Sequence, residues 1–311
     1  MQNQSFVTEF ILLGLSQSQN VEKILLVVFL LIYLATIGGN IIIVITIIYN
    51  PALLGSPMYF FLAFLSFLDA CTSSTVTPKI IIDCLYERKT ISFECCMTQL
   101  FTVHFFTGAE VIVLAAMAYD RYVAICKPLH YSSIMTQKLC GVLVVVSWAG
   151  GFLHSIIQIT FTLQLPLCGP NIIDHYMCDL FPLLKLACTD THIFVLLVFA
   201  NSGAICIIIF SLLLVSYGVV LFSLRAHSSE GRRKALSTCV SHITVVLLFF
   251  VPCILIYARP TSALSFEKNM LIFVNVLTPL LNPMVYTFRN KEMMNAIRKM
   301  WKRFRVVSDK F

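Results

Sequence analysis

Met117-Ala118-Tyr119-Asp120-Arg121-Tyr122-Val123-Ala124-Ile125-Cys126 sets an acid and a base side by side at the end of a long apolar run. The couple stands where a membrane helix would leave the hydrocarbon. Ionisable residues are costly at that depth unless they have a function or snorkel to the headgroups. Which of the two holds here depends on the rest of the chain.

With 59% hydrophobic and 12% charged residues and a mean hydropathy of +0.88, the 311-residue chain has too little polar surface to cover a soluble globule. Apolar runs near the twenty or so residues that a bilayer demands recur along its whole length. They lie at about Ile24 to Tyr49, Met58 to Leu85, Met97 to Ile125, Leu139 to Leu163, Ile193 to Leu224, Ala235 to Tyr257 and Met270 to Phe288. Such runs must be helical, because the bilayer core offers backbone groups no other partner and no barrel-like alternation is visible. The predicted fold class is an all-α membrane protein, a seven-transmembrane helix bundle over 24–288. An outer N-terminal segment, 1–23, precedes it and a cytoplasmic tail, 289–311, comes after it.

Seven spans put the termini on opposite sides. With the N-terminus outside, fifteen of the 22 Lys and Arg fall on the cytoplasmic side, from Arg121 to Lys310. The outer side keeps Lys23, Lys79, Arg88, Lys89, Lys185, Arg259 and Lys268, offset by nine acids. This is the asymmetry of the positive-inside rule, so the net charge of +7 reads as topology and not as a nucleic-acid partner. Met1 to Gly14 lacks the basic start and apolar core of a cleavable signal, so the first span is expected to direct insertion. Asn3-Gln4-Ser5 is a glycosylation acceptor in this topology.

Gly38-Gly39-Asn40 in the first span is expected to let helices approach closely, with Asn40 bonded inside the bundle. Asp69 and Glu110 are both mid-membrane. If they face each other, they can share a proton or hold a sodium ion, with Asn40 and Asn282 nearby. No other cofactor is implied. Pro252 and Pro283 should kink the sixth and seventh spans. After the seventh, 290–305 alternates basic and apolar residues, as a short amphipathic helix on an anionic lipid surface would.

Of the 12 cysteines, Cys71, Cys84, Cys126, Cys140, Cys206, Cys239 and Cys253 lie in or near spans. Cys95, Cys96, Cys168, Cys178 and Cys188 lie outside, where disulfides form, with the pairing left open by the residues alone. His175-Tyr176-Met177-Cys178-Asp179 resembles a metal cluster in composition, but a thiol consumed by a disulfide leaves too few ligands. A transporter or channel with Asp69 and Glu110 on an ion path would call for inverted repeats or polar rings, and neither is seen.

Asp120-Arg121-Tyr122 ending the third span and Asn282-Pro283-Met284-Val285-Tyr286 ending the seventh resemble the rhodopsin-like G-protein-coupled receptors. Pro57 to Leu62 with Leu65-Ser66 and Asp69, the full Met117 to Cys126 string, Ser216-Tyr217, Lys234 to His242, and Pro279 to Tyr286 with Arg289-Asn290 are similar to the vertebrate olfactory receptors. The long second outer loop, with Cys-Gly-Pro-Asn from Cys168, resembles their tetrapod-type class. Phe249-Phe250-Val251-Pro252-Cys253 departs from the commonest pattern, which has Tyr in place of Phe250 and no proline, so a tyrosine switch there is not carried over.

The resemblance implies a plasma-membrane receptor, not an enzyme, that takes a small odorant and activates a stimulatory, olfactory-type G protein to raise cyclic AMP. It implies a Cys96–Cys178 bridge and a second between Cys168 and Cys188. It places the odorant between the third, fifth, sixth and seventh helices. The expected lining is His104, Thr107, Gly108 and Ile112 on one face of the third, Asn201, Ser202 and Ile205 on the fifth, Phe250, Cys253, Ile254 and Tyr257 on the sixth, and Leu271 and Asn275 on the seventh. No acid stands among these, which argues against an amine ligand. Asp120, Arg121, Tyr122, Tyr217, Ser241, His242, Asn282, Pro283 and Tyr286 are expected to form the inner switch.

Overall fold

Helix covers the apolar runs and extends past them wherever a cap or a polar first turn lengthens the hydrogen-bonded segment. In the computed structural model, which describes residues 7–168, 170–224, 229–257, 264–288 and 290–308, seven helices are long and apolar enough to cross a bilayer. They are α1 (Gln19–Ile48), α2 (Pro57–Asp83), α3 (Phe93–Cys126), α4 (Gln137–Leu163), α5 (His192–Ser223), α6 (Ser229–Tyr257) and α7 (Phe266–Thr287). Ser92 and Thr136 cap α3 and α4 by accepting from the Cys95 and Leu139 amides at 3.2 Å, which draws those helices a turn beyond their apolar runs. Asn3, Arg225 and Arg289 lie outside the described residues.

Both kinks are supported by neighbouring helices. Pro283 removes the donor that would satisfy the Pro279 carbonyl, and Asn40 of α1 donates to that oxygen at 2.9 Å. Thr278 donates to Leu248 O, the carbonyl freed by Pro252, at 3.5 Å. Of the glycine pair in α1, Gly39 alone meets a neighbour, with Pro283 3.3 Å from a built Cβ; Gly38 faces open space.

After α7, the Asn290 side chain accepts from the Glu292 and Met293 amides at 3.0 and 3.2 Å, capping α8 (Lys291–Ser308). Met293 and Ala296 pack inward while Trp301 stays exposed, the two-sided pattern of an interfacial helix. Tyr59, at the start of α2, bonds Asn290 and Glu292 and ties this joint to the bundle.

The end that the charge pattern predicts to lie outside, called the outer end, carries a small sheet that the sequence pattern does not announce, and the opposite end is called the inner one. β1 (Glu9–Leu12) runs antiparallel to β2 (Thr90–Ser92) and parallel to β3 (Ile172–Ile173), in the order β2-β1-β3. Phe10 and Leu12 point into the core while Glu9 and Ile11 face outward, the two-residue alternation of a strand with one buried face. Gly14 then turns with φ +72°, and a Cβ there would stand 2.8 Å from the Lys89 ammonium. Lys89 is buried and pairs with Glu22 and with Ser16 O. Disulfides join Cys96 to Cys178 and Cys168 to Cys188. Between them the second outer loop turns into the bundle, burying His175, Tyr176, Met177 and a short helix, Leu180–Leu184.

Candidate functional site

At the inner end, Asp120 is fully buried and is held from two sides. Arg121 Nη2 donates to its Oδ2 at 2.6 Å and the Tyr131 hydroxyl to its Oδ1 at 2.8 Å. Burial first, then the Asp120 charge, raises the Tyr131 phenol above its ordinary pKa, so it stays a donor. The Tyr217 hydroxyl of α5 is bonded to His242 Nδ1 of α6. Tyr286 of α7 is buried with its hydroxyl unpaired among the described residues, as is His242 Nε2. The Arg121 guanidinium acts electrostatically on Tyr217, His242 and Tyr286. Ser241 is buried next to His242, and Tyr122 packs against a cluster of Val220, Leu224 and Cys239. Four helices thus meet at one base.

Mid-bundle, Asn282 Nδ2 donates to both Asp69 oxygens at 3.0 Å, and Thr72 donates to Glu110 Oε1 at 3.1 Å. The two acids interact electrostatically. Asn282 Oδ1 and Asn40 Oδ1 are buried acceptors without a hydrogen bond among the described residues. The Asn282 oxygen beside the Asp69 carboxyl, with Glu110 acting on the same acid, suits a hard cation better than a neutral ligand.

The expected ligand-facing residues divide. On α3, the stripe at positions 104, 108 and 112 turns toward α4 instead of inward. The His104 and His154 rings lie 5.5 Å apart, a Cβ on Gly108 would stand 3.1 Å from Gly151 Cα, and one on Gly150 would meet Ile112 at 2.4 Å. Glycines on both helices bring the backbones together along this stripe, and that contact claims the face. Thr107, one step round, is part-buried and its hydroxyl has no bond among the described residues.

On α5 the register changes. Phe199–Ala204 is a π-helical turn, which adds a residue to the turn and rotates every later side chain of the helix. Ile205 therefore points outward, 43% exposed, and Cys206 takes the buried position. Asn201 donates to His154 O at 3.2 Å, toward α4, and Ser202 accepts from Gln158 at 2.8 Å and also bonds Tyr257.

Phe250 and Cys253 are buried on α6, with Phe250 stacked 5.7 Å from Phe210 and Ile254 packed beside them. Leu271 and Asn275 are buried on α7, where a second π turn, Phe273–Leu277, carries Asn275 to 3.8 Å from Met177 Sδ. The outer loop occupies the space above them. Phe181 lies 6.2 Å from the Tyr257 ring and the Cys178 amide donates to Gln99 at 2.9 Å. A shallow cleft lined by Gly14, Glu22, Lys89 and Tyr176 opens to one side, under the N-terminal segment.

Two acids outside the expected lining set stand near it in the fold. Asp179 of the loop is buried, hydrogen-bonded to the buried Glu267 of α7, and acts electrostatically on Tyr257. Neither acid falls on a helical face that the spacing of α3, α5 or α6 would single out. Their signal was two acids at the outer rims of apolar segments.

The family model described as olfactory receptor matches residues 29–303, from within α1 to within α8. The chain belongs to the olfactory receptor family. Human olfactory receptor 4A47 is 55% identical over 97% of this chain and 98% of its own length. Human olfactory receptor 4A5 is 57% identical over 96% of this chain and 95% of its own, and mouse olfactory receptor 4B13 is 57% identical over 97% and 99%. This olfactory receptor is therefore a multi-pass membrane protein that binds small-molecule odorants and couples to a G protein, with no enzymatic step of its own.

Proposed function

We propose that this receptor binds a small odorant between α3, α5, α6 and α7, beneath the second outer loop, and couples to a stimulatory, olfactory-type G protein that raises cyclic AMP. The observation that carries the reading is the meeting of Asp120-Arg121, Tyr217, His242 and Tyr286, one site shared by four helices. The Asp120–Arg121 pair belongs to the resting state. A ligand that favours outward movement of the inner end of α6 breaks the Tyr217–His242 bond and releases Arg121 toward α5 and the G protein.

The N-terminus faces outside and α8 lies on the cytoplasmic leaflet. Supporting this are the excess of Lys and Arg at the inner end and the two disulfides, which gather at the end that carries β1. Thr107, Ser202, Phe250, Cys253, Ile254, Tyr257, Leu271 and Asn275 are the lining residues, with Tyr257 the main hydrogen-bonding group. In Tyr257→Phe, losing a hydroxyl that bonds Ser202 should lower agonist potency about tenfold with surface expression intact. Cyclic AMP dose-response curves test this, and unchanged potency would move the pocket elsewhere.

Asp69, Glu110 and the unpaired Asn282 oxygen suit a sodium ion, which would link α2, α3 and α7 and hold the resting arrangement. Sodium should then raise the melting temperature of the purified receptor, and Asp69→Asn should erase the rise. Equal responses in the two proteins would remove the ion from the reading.

A further inference from the structure

The buried acids at the outer end are surplus to the switch and to the mid-membrane pair. Asp179, just before the loop helix Leu180–Leu184, and Glu267, in the first turn of α7, are each only 5% exposed. Their side chains hydrogen-bond to one another. Two ionised carboxylates offer acceptors alone, so the bond requires one of the pair to keep its proton. Glu267 Oε1 nonetheless has no hydrogen-bond partner among the described residues.

A second observation concerns Tyr176. Its side chain is 2% exposed, its hydroxyl is unpaired among the described residues, and both acids act on it electrostatically. Phe181 and Tyr257, 6.2 Å apart, lie on the side toward the bundle. Carboxyl groups that act on the Tyr176 and Tyr257 phenols, with the Phe181 ring beside Tyr257, form an environment suited to an organic cation, which gains both ion pairing and attraction to the ring faces. Among the described residues, neither nearby lysine already occupies this role. Lys268 is held by Asp174 at 2.5 Å, and Lys185 stands exposed, although the charges of both reach Glu267. His175, whose ring lies 4.4 Å from that of Tyr176 at a tilt of 32°, is held neutral, its pKa lowered to about 3 by burial and by Lys268.

We propose that Asp179 and Glu267 are specificity-determining residues that recognise a protonated nitrogen, so that small aromatic or alicyclic amines are ligands of this receptor. The ammonium group takes the place of the proton shared by the two acids, donates to Glu267 Oε1, and leaves its apolar body against Phe181 and Tyr257. The proposal rests on the ligand region assigned above and names the class of ligand that enters it.

The test uses the purified full-length receptor and matched probes, 2-phenylethylamine against 2-phenylethanol and cyclohexylamine against cyclohexanol. The readout is thermal stabilisation as a function of concentration. Each amine should stabilise the wild type at about tenfold lower concentration than its alcohol. Glu267→Gln and Asp179→Asn should each remove that preference while leaving the alcohol response in place. Alcohols equal to or better than amines on the wild type, no stabilisation by either, or a preference that survives in both variants would overturn the proposal.

If one variant fails to fold, the other variant and the wild-type comparison still decide. Cyclic AMP measured in parallel separates the two readings. Amine binding without cyclic AMP would count against the coupling, whereas cyclic AMP evoked by the alcohols alone would count against the acid pair.

Discussion

Arg121→Ala should abolish ligand-evoked cyclic AMP, bringing it to the level of cells without the receptor, while the protein still reaches the cell surface. The guanidinium is the common electrostatic partner of Tyr217, His242 and Tyr286, and among the described residues no other base acts on all three. Removing it leaves Asp120 buried with the Tyr131 hydroxyl alone, a loss of about 3 kcal/mol or less because Arg121 is itself partly exposed and solvent screens the pair.

Asp120→Asn supplies the complementary result. It frees the guanidinium without removing it, and basal cyclic AMP should rise several-fold. Surface immunostaining beside cyclic AMP dose-response curves reads both variants. Full signalling from Arg121→Ala would mean that this base is not the switch.

Gly151→Ala should cost the receptor its folding yield. A Cβ at this position would lie 2.5 Å from Phe105 O and 2.8 Å from Ala109 N, both backbone atoms of α3 that no rotamer change can move aside. The helices would have to separate along the stripe that joins His104 to His154 and Gly108 to Gly151, at about 1–3 kcal/mol or more of overpacking. The melting temperature of the purified receptor and the fraction at the cell surface should both fall.

Gly141→Ala and Gly218→Ala are the controls, since a Cβ at either meets nothing within 4 Å. Alanine there should be neutral, or stabilising by up to about 1 kcal/mol through helix propensity. Equal behaviour of all three variants would refute the close packing of α3 on α4.

The seven spans were legible because a bilayer imposes length and hydropathy together, and the Asp120–Arg121 pair because charge is rare at that depth. Even the support for the α7 kink could be anticipated in part, since Asn40 had to find a partner inside the bundle. Side-chain direction was harder. On α3, helical spacing groups positions 104, 108 and 112 on one face but cannot say which neighbour that face meets. Gly150-Gly151, small residues in the next span, carry the signal that points to α4.

On α5, straight-helix counting runs through Asn201 to Ile205, and the π turn defeats it by one position. Asp179 and Glu267 are distant in sequence, and only the folded loop makes them neighbours. The outer sheet escaped because its strands have four, three and two residues, too short to show a period.

That sheet bears on how the chain is made. β1 is synthesised first yet pairs with β3, whose partner residues Ile172 and Ile173 come after the fourth span, and the Cys96–Cys178 bridge spans the same interval. The N-terminal strand finds β2 once two spans have been made, but its other edge waits for β3 until four are in place. The second outer loop is among the last parts of this end to close, and a chain stalled before it would leave β1 with a free edge and its apolar residues Phe10 and Leu12 without their cover, a natural mark for quality control.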